Sequence, residues 1–255
     1  MKQRLDKMLV DRALAPSREK AQALILAGLV RVDGNPAAKA GQGVADAAHI
    51  EVIGKDHPFV SRGGVKLEAA LAAFGLDVTG LTALDIGAST GGFTHCLLLR
   101  GAARVFAVDV GYGQLAWEVR NDPRVTVLER TNIRTLDPAA LGTAVDLAVV
   151  DVSFISLVTV LRHAVRFLKP GGRIVALVKP QFEAGREHVR RGGRVTDTEV
   201  HQDVLARVAE AGRELGLELA GQMPSPIEGK KSGNREFLVL WRNPPAPVSG
   251  AAARA

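Results

Sequence analysis

The residues best suited to chemistry stand where apolar runs end. Leu84-Asp85-Ile86-Gly87-Ala88-Ser89-Thr90-Gly91-Gly92-Phe93-Thr94 carries a buried strand through an acid and a glycine-rich turn into a helix. Gly87, Gly91 and Gly92 let the backbone approach a ligand where a Cβ would clash. Free amides at the helix start can hold a carboxylate or a phosphate. A dinucleotide fingerprint would read G-x-G-x-x-G, whereas this segment reads G-x-x-x-G-G. The looser turn suits the methionine end of S-adenosylmethionine, with Asp85 near its ammonium. One strand later Asp109 closes the run Val105–Val108, where an acid can accept hydrogen bonds from both ribose hydroxyls of a nucleoside cofactor. Asp109 alone identifies a ribose and no particular cofactor.

Two more charged residues follow strands. Asp151 succeeds Asp146–Val150, and Lys179 succeeds Ile174–Val178. In open parallel sheets the carboxyl ends of the strands line the ligand crevice. A partly desolvated lysine there is costly unless it is paired with an acid or deprotonated. Lys66 and Glu236 flank this region and could complete a Lys–Asp–Lys–Glu cluster, or could be solvated charges on a helix and a strand end. Gly87–Gly91 also fits G-x-S-x-G, the nucleophile elbow of hydrolases, which requires a later acid and then a histidine. His163, His188 and His201 follow, but none sits in a loop after a late strand. No Cys/His pair has zinc-like spacing, so no metal is expected. Trp117 and Trp241 read as packing residues.

Positioning these groups requires an α/β scaffold. Apolar strands at Ala83–Ile86, Arg104–Val108, Val125–Leu128, Leu147–Val150 and Ile174–Val178 alternate with helical segments at Gly92–Arg100, Gln114–Val119, Leu157–Leu168 and Glu199–Leu215, after a first helix Val65–Phe74. Such alternation predicts a Rossmann-like, mostly parallel sheet covered by helices on both faces. The chain closes with Leu217–Gln222, a turn-rich loop, and Glu236–Trp241. A return without a helix makes that last strand antiparallel. Ahead of this domain, apolar spacings of three and four predict two short helices before Leu29, separated by Ala15-Pro16-Ser17 with Ser17 as N-cap. Gly28 ends the second, Val30–Gly34 is a strand into a turn, and His49–Ile53 is another strand. The expected division is a small α+β domain over 1–57, a linker over 58–62, the large domain over 63–242 and a disordered tail over 243–255.

Composition narrows the partners. The 255 residues carry a formal charge of +6, and the pI near 9.8 favours a polyanion such as nucleic acid. A single cysteine, Cys96, fits a reducing compartment. The absence of a signal-peptide core and of an apolar run of about 20 residues predicts a cytoplasmic protein that does not span a membrane.

Arg4–Leu9, Ser17–Ala21 and Ala27–Gly34 resemble the small RNA-binding domain first seen in a ribosomal small-subunit protein. Ser61–Leu67, Asp85–Thr94, Asp151-Val152-Ser153-Phe154-Ile155-Ser156, Val178–Glu183 and Gly233–Phe237 resemble FtsJ-like ribose methyltransferases. In this order they resemble the TlyA, or haemolysin A, family of bacterial rRNA 2′-O-methyltransferases over residues 1–242. The resemblance implies methyl transfer from S-adenosylmethionine to a ribose 2′-hydroxyl, with cytidine in large-subunit rRNA as the expected target and small-subunit rRNA as a second one. It implies Lys66, Asp151, Lys179 and Glu236 as the catalytic tetrad; in the mechanism expected from their chemistry, Lys179 accepts the hydroxyl proton. It implies Asp85, Gly87, Ser89, Thr90, Gly91, Asp109, Asn132 and Asp151 as cofactor-binding residues, Asn132 toward the adenine. Arg4, Lys7, Arg18, Lys20 and Arg31 are the expected RNA contacts, although a solvated helix face explains any one of them equally simply. Competing readings are an NAD-dependent oxidoreductase, a membrane-acting haemolysin and a non-catalytic ribosome-assembly factor.

Overall fold

A computed structural model describes residues 2–53, 57–229 and 233–245, and the chain divides into two units, Met1–Pro58 and Phe59–Ala255. In the first unit the elements are β1 (Lys2–Arg4), α1 (Leu5–Asp11), α2 (Arg18–Leu26), β2 (Val30–Val32), β3 (Asn35–Pro36), β4 (Gly43–Ala45) and β5 (Ile50–Val52). Leu5, Met8 and Leu9 of α1 share a core with Ala21 and Ile25 of α2 and with Val30 and Val32. Leu26, in the same apolar run, is 88% exposed, because each helical step turns the side chain by about 100° away from Ile25. Ser17 Oγ accepts a hydrogen bond from Lys20 N at 3.2 Å and so caps α2. β2 pairs antiparallel with both β3 and β5. The β2–β3 turn has Asp33 and Gly34 both at positive φ, the backbone that a tight hairpin needs. The pairing of β1 with β4 is not foreseeable from 35–44, whose glycines and alanines show no two-residue alternation.

The second unit comprises α3 (Gly63–Ala73), β6 (Thr82–Ile86), α4 (Gly92–Leu99), β7 (Arg104–Val108), α5 (Trp117–Arg120), β8 (Val125–Leu128), β9 (Val145–Val150), α6 (Leu157–Ala164), β10 (Leu168–Val178), α7 (Pro180–Glu183), α8 (Thr198–Glu214), β11 (Glu218–Pro224) and β12 (Phe237–Arg242). One sheet runs in the order β11-β12-β10-β9-β6-β7-β8. The pairings from β10 through β8 are parallel, and β12 is antiparallel to both of its neighbours. The expected antiparallel closing strand is therefore present. Alternate residues feed two cores: Leu84, Ile86, Phe106 and Val150 pack with α6 and α8 on one face. Ala83, Val105, Val149 and Leu177 pack with α3 and α4 on the other. Burial on both faces is why these strands read as unbroken apolar runs.

Four expectations need correction. The helix over 157–168 stops at Ala164, a single 3-10 turn follows, and Leu168 is already extended as the first residue of β10. The helix over 114–119 is only the single turn α5. That turn buries Val119 and leaves Trp117 79% exposed, whereas Trp241 is fully buried; Trp117 is thus no core residue. Segment 58–62 is not a free linker, since Phe59 is buried in the core of the second unit. Residues 246–255 of the expected disordered tail lie outside the described residues.

Gly64 of α3 gives Phe59 its seat: a Cβ there would collide with the Cβ, Cγ and Cδ1 of Phe59. Gly64→Ala is expected to destabilise the second unit by about 1–3 kcal/mol, the usual cost of overpacking, despite alanine's better helix propensity. Chemical denaturation checks this, and an unchanged midpoint would show that Phe59 is not held there.

Candidate functional site

The reversed direction of β12 decides what meets at the carboxyl edge of the sheet. Its first residue, Phe237, pairs with Val178, the last of β10, so Glu236 and Lys179 emerge side by side. Asp151 leaves β9 at the same edge, its amide bonded to Ile86 O of β6 at 3.0 Å. Lys66 arrives from α3. The four charges form two ion pairs. Lys66 Nζ donates to Glu236 Oε2 in a short contact with side chains 11% and 4% exposed. Lys179 Nζ lies 2.6 Å from Asp151 Oδ1 and donates to Ser153 Oγ at 2.8 Å. The Lys–Asp–Lys–Glu grouping is therefore a physical cluster of paired, largely desolvated charges.

Beside it the glycine loop is built for close approach. At Gly87, φ 87°, an added Cβ would lie 2.6 Å from Asp151 O, so the loop and the Asp151 strand end can meet only through glycine. Gly91, φ 93°, starts α4 in the left-handed region that favours glycine. Ser89 and Thr90, between them, are exposed. Asp85 is fully buried: Oδ2 accepts from Thr94 N at 3.0 Å and Thr94 Oγ1 at 2.6 Å. Its Oδ1 has no hydrogen-bond partner. Burial pushes this carboxyl up to about 7, with the charges of Asp151 and Asp109 acting in the same direction and the Thr94 bonds opposing. The folded chain thus keeps a proton that the unfolded chain releases, so this burial costs stability increasingly as pH rises toward 7.

Asp109 ties two loops together, its Oδ2 accepting from Ser89 N and its Oδ1 from Gly111 N, both at 2.7 Å. Each oxygen keeps a second lone pair for a ligand hydroxyl. Asn132 is exposed and its Oδ1 accepts from Arg134 N at 3.0 Å, leaving its amide nitrogen as the available donor. Ser89 Oγ meets Gln114 Oε1 at 3.3 Å, while His201 is bonded to Val195 O and His188 lies beside Glu187. Among the described residues Ser89 Oγ is bonded to no histidine, as the elbow reading would require.

In the first unit, Arg4 and Arg18 converge on Asp6, which has no exposed surface. Gln22 Nε2 donates to the same carboxylate at 3.0 Å. These bonds, that of Arg4 foremost, hold the Asp6 carboxyl well below the usual carboxylate range. The two arginine side chains remain about half exposed, at 55% and 52%. Lys7, Lys20 and Arg31 are exposed on α1, α2 and β2, and are not drawn into that cluster.

Ser153, Phe154, Glu183 and Asn234 stand within the motifs that carry the resemblance but are not among the expected site residues. Phe154, three residues past Asp151, has φ 66°, rare for a bulky residue, and is 92% exposed with its ring centroid 5.1 Å from that of Phe182. Glu183 receives Ser156 Oγ at 2.8 Å and Leu157 N at 2.6 Å, fixing α7 to α6. The available signal was proximity to the strand-end charges, since all four lie within four residues of Asp151, Lys179 or Glu236.

Comparison with known proteins places this geometry. The FtsJ-like methyltransferase family matches residues 59–243, and the S4 domain family matches residues 3–46. The 16S/23S rRNA (cytidine-2′-O)-methyltransferase TlyA of Mycobacterium tuberculosis is 52% identical over 239 residues, spanning 93% of this chain and 88% of that protein. Hemolysin A of Brachyspira hyodysenteriae is 39% identical over 92% of this chain and 98% of its own. A solved structure from Streptococcus thermophilus, bearing a provisional hemolysin name, has TM-score 0.75 and 41% identity over 96% of this chain and 90% of that one. Among the described residues no helix is long and apolar enough to cross a membrane.

Glu236→Gln leaves Lys66 buried beside a neutral amide. The expected loss is about 3–5 kcal/mol of stability, read by denaturant unfolding, with partial recovery in Lys66→Met/Glu236→Gln. Equal stability of the single variant and the parent would mean that the pair is solvated.

Proposed function

Since this chain belongs to the FtsJ-like methyltransferases, and within them to the TlyA family with its leading S4 domain, we propose that it methylates the ribose 2′-hydroxyl of a cytidine in ribosomal RNA. S-adenosylmethionine is the methyl donor. The large subunit is the expected substrate, with the small subunit as a second. The single observation that carries this reading is the pairing of Lys179 with Asp151 and of Lys66 with Glu236 at one sheet edge, beside the glycine loop.

The residues present fit the donor. The unpartnered Oδ1 of Asp85 would hold the ammonium, and the backbone at Gly87, Ser89, Thr90 and Gly91 the methionine end. Asp109 would receive the ribose hydroxyls, and the Asn132 amide would face the adenine. When bound, S-adenosylmethionine supplies an electrophilic sulfonium methyl. The chain's own residues do the rest. Asp151 and Ser153 fix the direction of Lys179 Nζ, which in its neutral form takes the 2′-proton as the oxygen attacks. Lys66, held by Glu236, stabilises charge developing on that oxygen. The exposed Phe154 ring offers a stacking face to a base drawn out of its helix. In the first unit, Arg4, Lys7, Arg18, Lys20 and Arg31 would contact phosphates and position the RNA.

Transfer of tritiated methyl to unmodified large and small subunits, tested separately, examines this reading. Lys179→Ala is expected to lose at least a hundredfold in kcat while binding S-adenosylmethionine as the parent does. Near-parental turnover would remove Lys179 as the proton acceptor.

The Asp85 carboxyl supplies a second test. Because its value lies near 7, the carboxylate that attracts an ammonium is scarce below that pH. Affinity for S-adenosylmethionine is expected to rise roughly tenfold from pH 5.5 to 7 as the fraction ionised grows. Asp85→Asn should flatten that rise. A parental affinity independent of pH over this range would place the ammonium elsewhere.

A further inference from the structure

Outside the tetrad and the cofactor loop, the second unit carries a concentrated and unbalanced charge between α7 and α8. Arg186, Arg190, Arg191 and Arg194 are all exposed, and Glu187 is the one acid among residues 186–195. Glu187 lies beside His188, at 3.6 Å. Among the described residues, none of the four guanidiniums makes a hydrogen bond or an ion pair.

The backbone holds these charges together against their repulsion. Arg190 and Arg194 face each other in an antiparallel bridge, with Arg190 N donating to Arg194 O at 2.8 Å. Gly192 and Gly193, φ 85° and 75°, make the turn between them. Like charges directly opposite each other are destabilising, so the arrangement is not explained by stability. It is also braced. Asn234, 1% exposed, accepts from Val195 N and donates to Gly193 O, both at 2.8 Å. Val195 is itself buried and its carbonyl meets His201 Nε2 at 3.0 Å.

The brace fixes the hairpin next to the tetrad. Asn234 precedes Glu236 by two residues, so their Cα atoms are at most about 7.6 Å apart. At its other end the segment begins at α7, the helix directly after Lys179.

We propose that the Arg190–Arg194 hairpin, with Arg186, is a second RNA-binding surface that grips backbone phosphates flanking the target nucleotide. The occupant is a polyanionic strand, because four unpaired guanidiniums at the rim of a site for a ribose hydroxyl match successive phosphates. Asn234 is the positioning residue that keeps the hairpin at that rim. This rests on the reading of ribosomal RNA as substrate, and it adds to the first unit a contact made by the catalytic unit itself.

The test is the salt dependence of ribosomal RNA binding by the full chain and by Arg190→Ala/Arg191→Ala/Arg194→Ala. The triple variant is expected to bind more weakly, with the slope of log K against log salt reduced by roughly two. Arg190→Lys/Arg191→Lys/Arg194→Lys should restore most of that slope, which a merely structural role would not do. Unfolding midpoints of both variants are measured alongside, so that lost binding by a misfolded variant is recognised and the lysine variant decides. A slope unchanged in the folded alanine variant, with the parent both binding and methylating RNA, overturns this surface alone. A parent that does not bind ribosomal RNA overturns it together with the substrate reading. Vesicles containing phosphatidylserine form a parallel arm: arginine-dependent binding to them without any effect on RNA would assign the hairpin to a lipid surface and overturn the proposal.

Discussion

Charge removed from water must be answered inside the protein, and the carboxyl edge of this sheet holds four such charges in two pairs. Lys66 with Glu236, and Lys179 with Asp151, come from α3, the start of β12, the end of β10 and the end of β9. Only a reversed β12 can bring an acid from its beginning to the edge where parallel strands end. A buried ion pair seldom stabilises more than well-packed apolar side chains would. The buried Lys66–Glu236 pair, with the half-buried Lys179–Asp151 pair at the same edge, is therefore better explained by chemistry than by stability. The sheet is the frame that makes their geometry repeatable.

The glycine loop meets the same constraint from the other side. Gly87 allows Asp151 O to approach the turn after β6, and Asp109 pins that turn through Ser89 N. The glycine loop and the four-charge cluster thus share a wall. Asp85 completes it as a buried carboxyl with one oxygen spent on Thr94 and one left over. Burial raises the cost of its charge, which is the condition under which a cationic ligand group is most strongly preferred. In the first unit, Asp6 shows the opposite solution: one buried acid is satisfied completely and arrays two half-exposed arginines around itself.

The strands of the second unit were legible because burial on both faces makes them continuous apolar runs. The acids and the lysine at their ends were legible because charge there interrupts those runs. The pairing partners were not: Lys66 and Glu236 lie 170 residues apart, and no local pattern announces their contact. The same holds for Asn234 and the hairpin it braces, whose bonds span 39 and 41 residues. Short elements were least legible. β1 and β4 lack alternation, and α5 is a single turn that buries Val119 and leaves Trp117 in solvent, Leu115 entering the same core from the chain before it. Phe59 read as linker because a lone aromatic between a proline and glycines gives no period, yet Gly64 opens a seat for it on α3.

This edge cluster is expected to activate a ribose hydroxyl and not a base nitrogen or carbon. Alkaline hydrolysis of ribosomal RNA labelled by the protein with tritiated methyl separates these outcomes, because a methylated 2′-oxygen cannot attack the adjacent phosphate. The expected result is label retained in an alkali-resistant dinucleotide carrying a 5′ cytidine. Label released entirely in mononucleotides would place the methyl on a base and contradict the account.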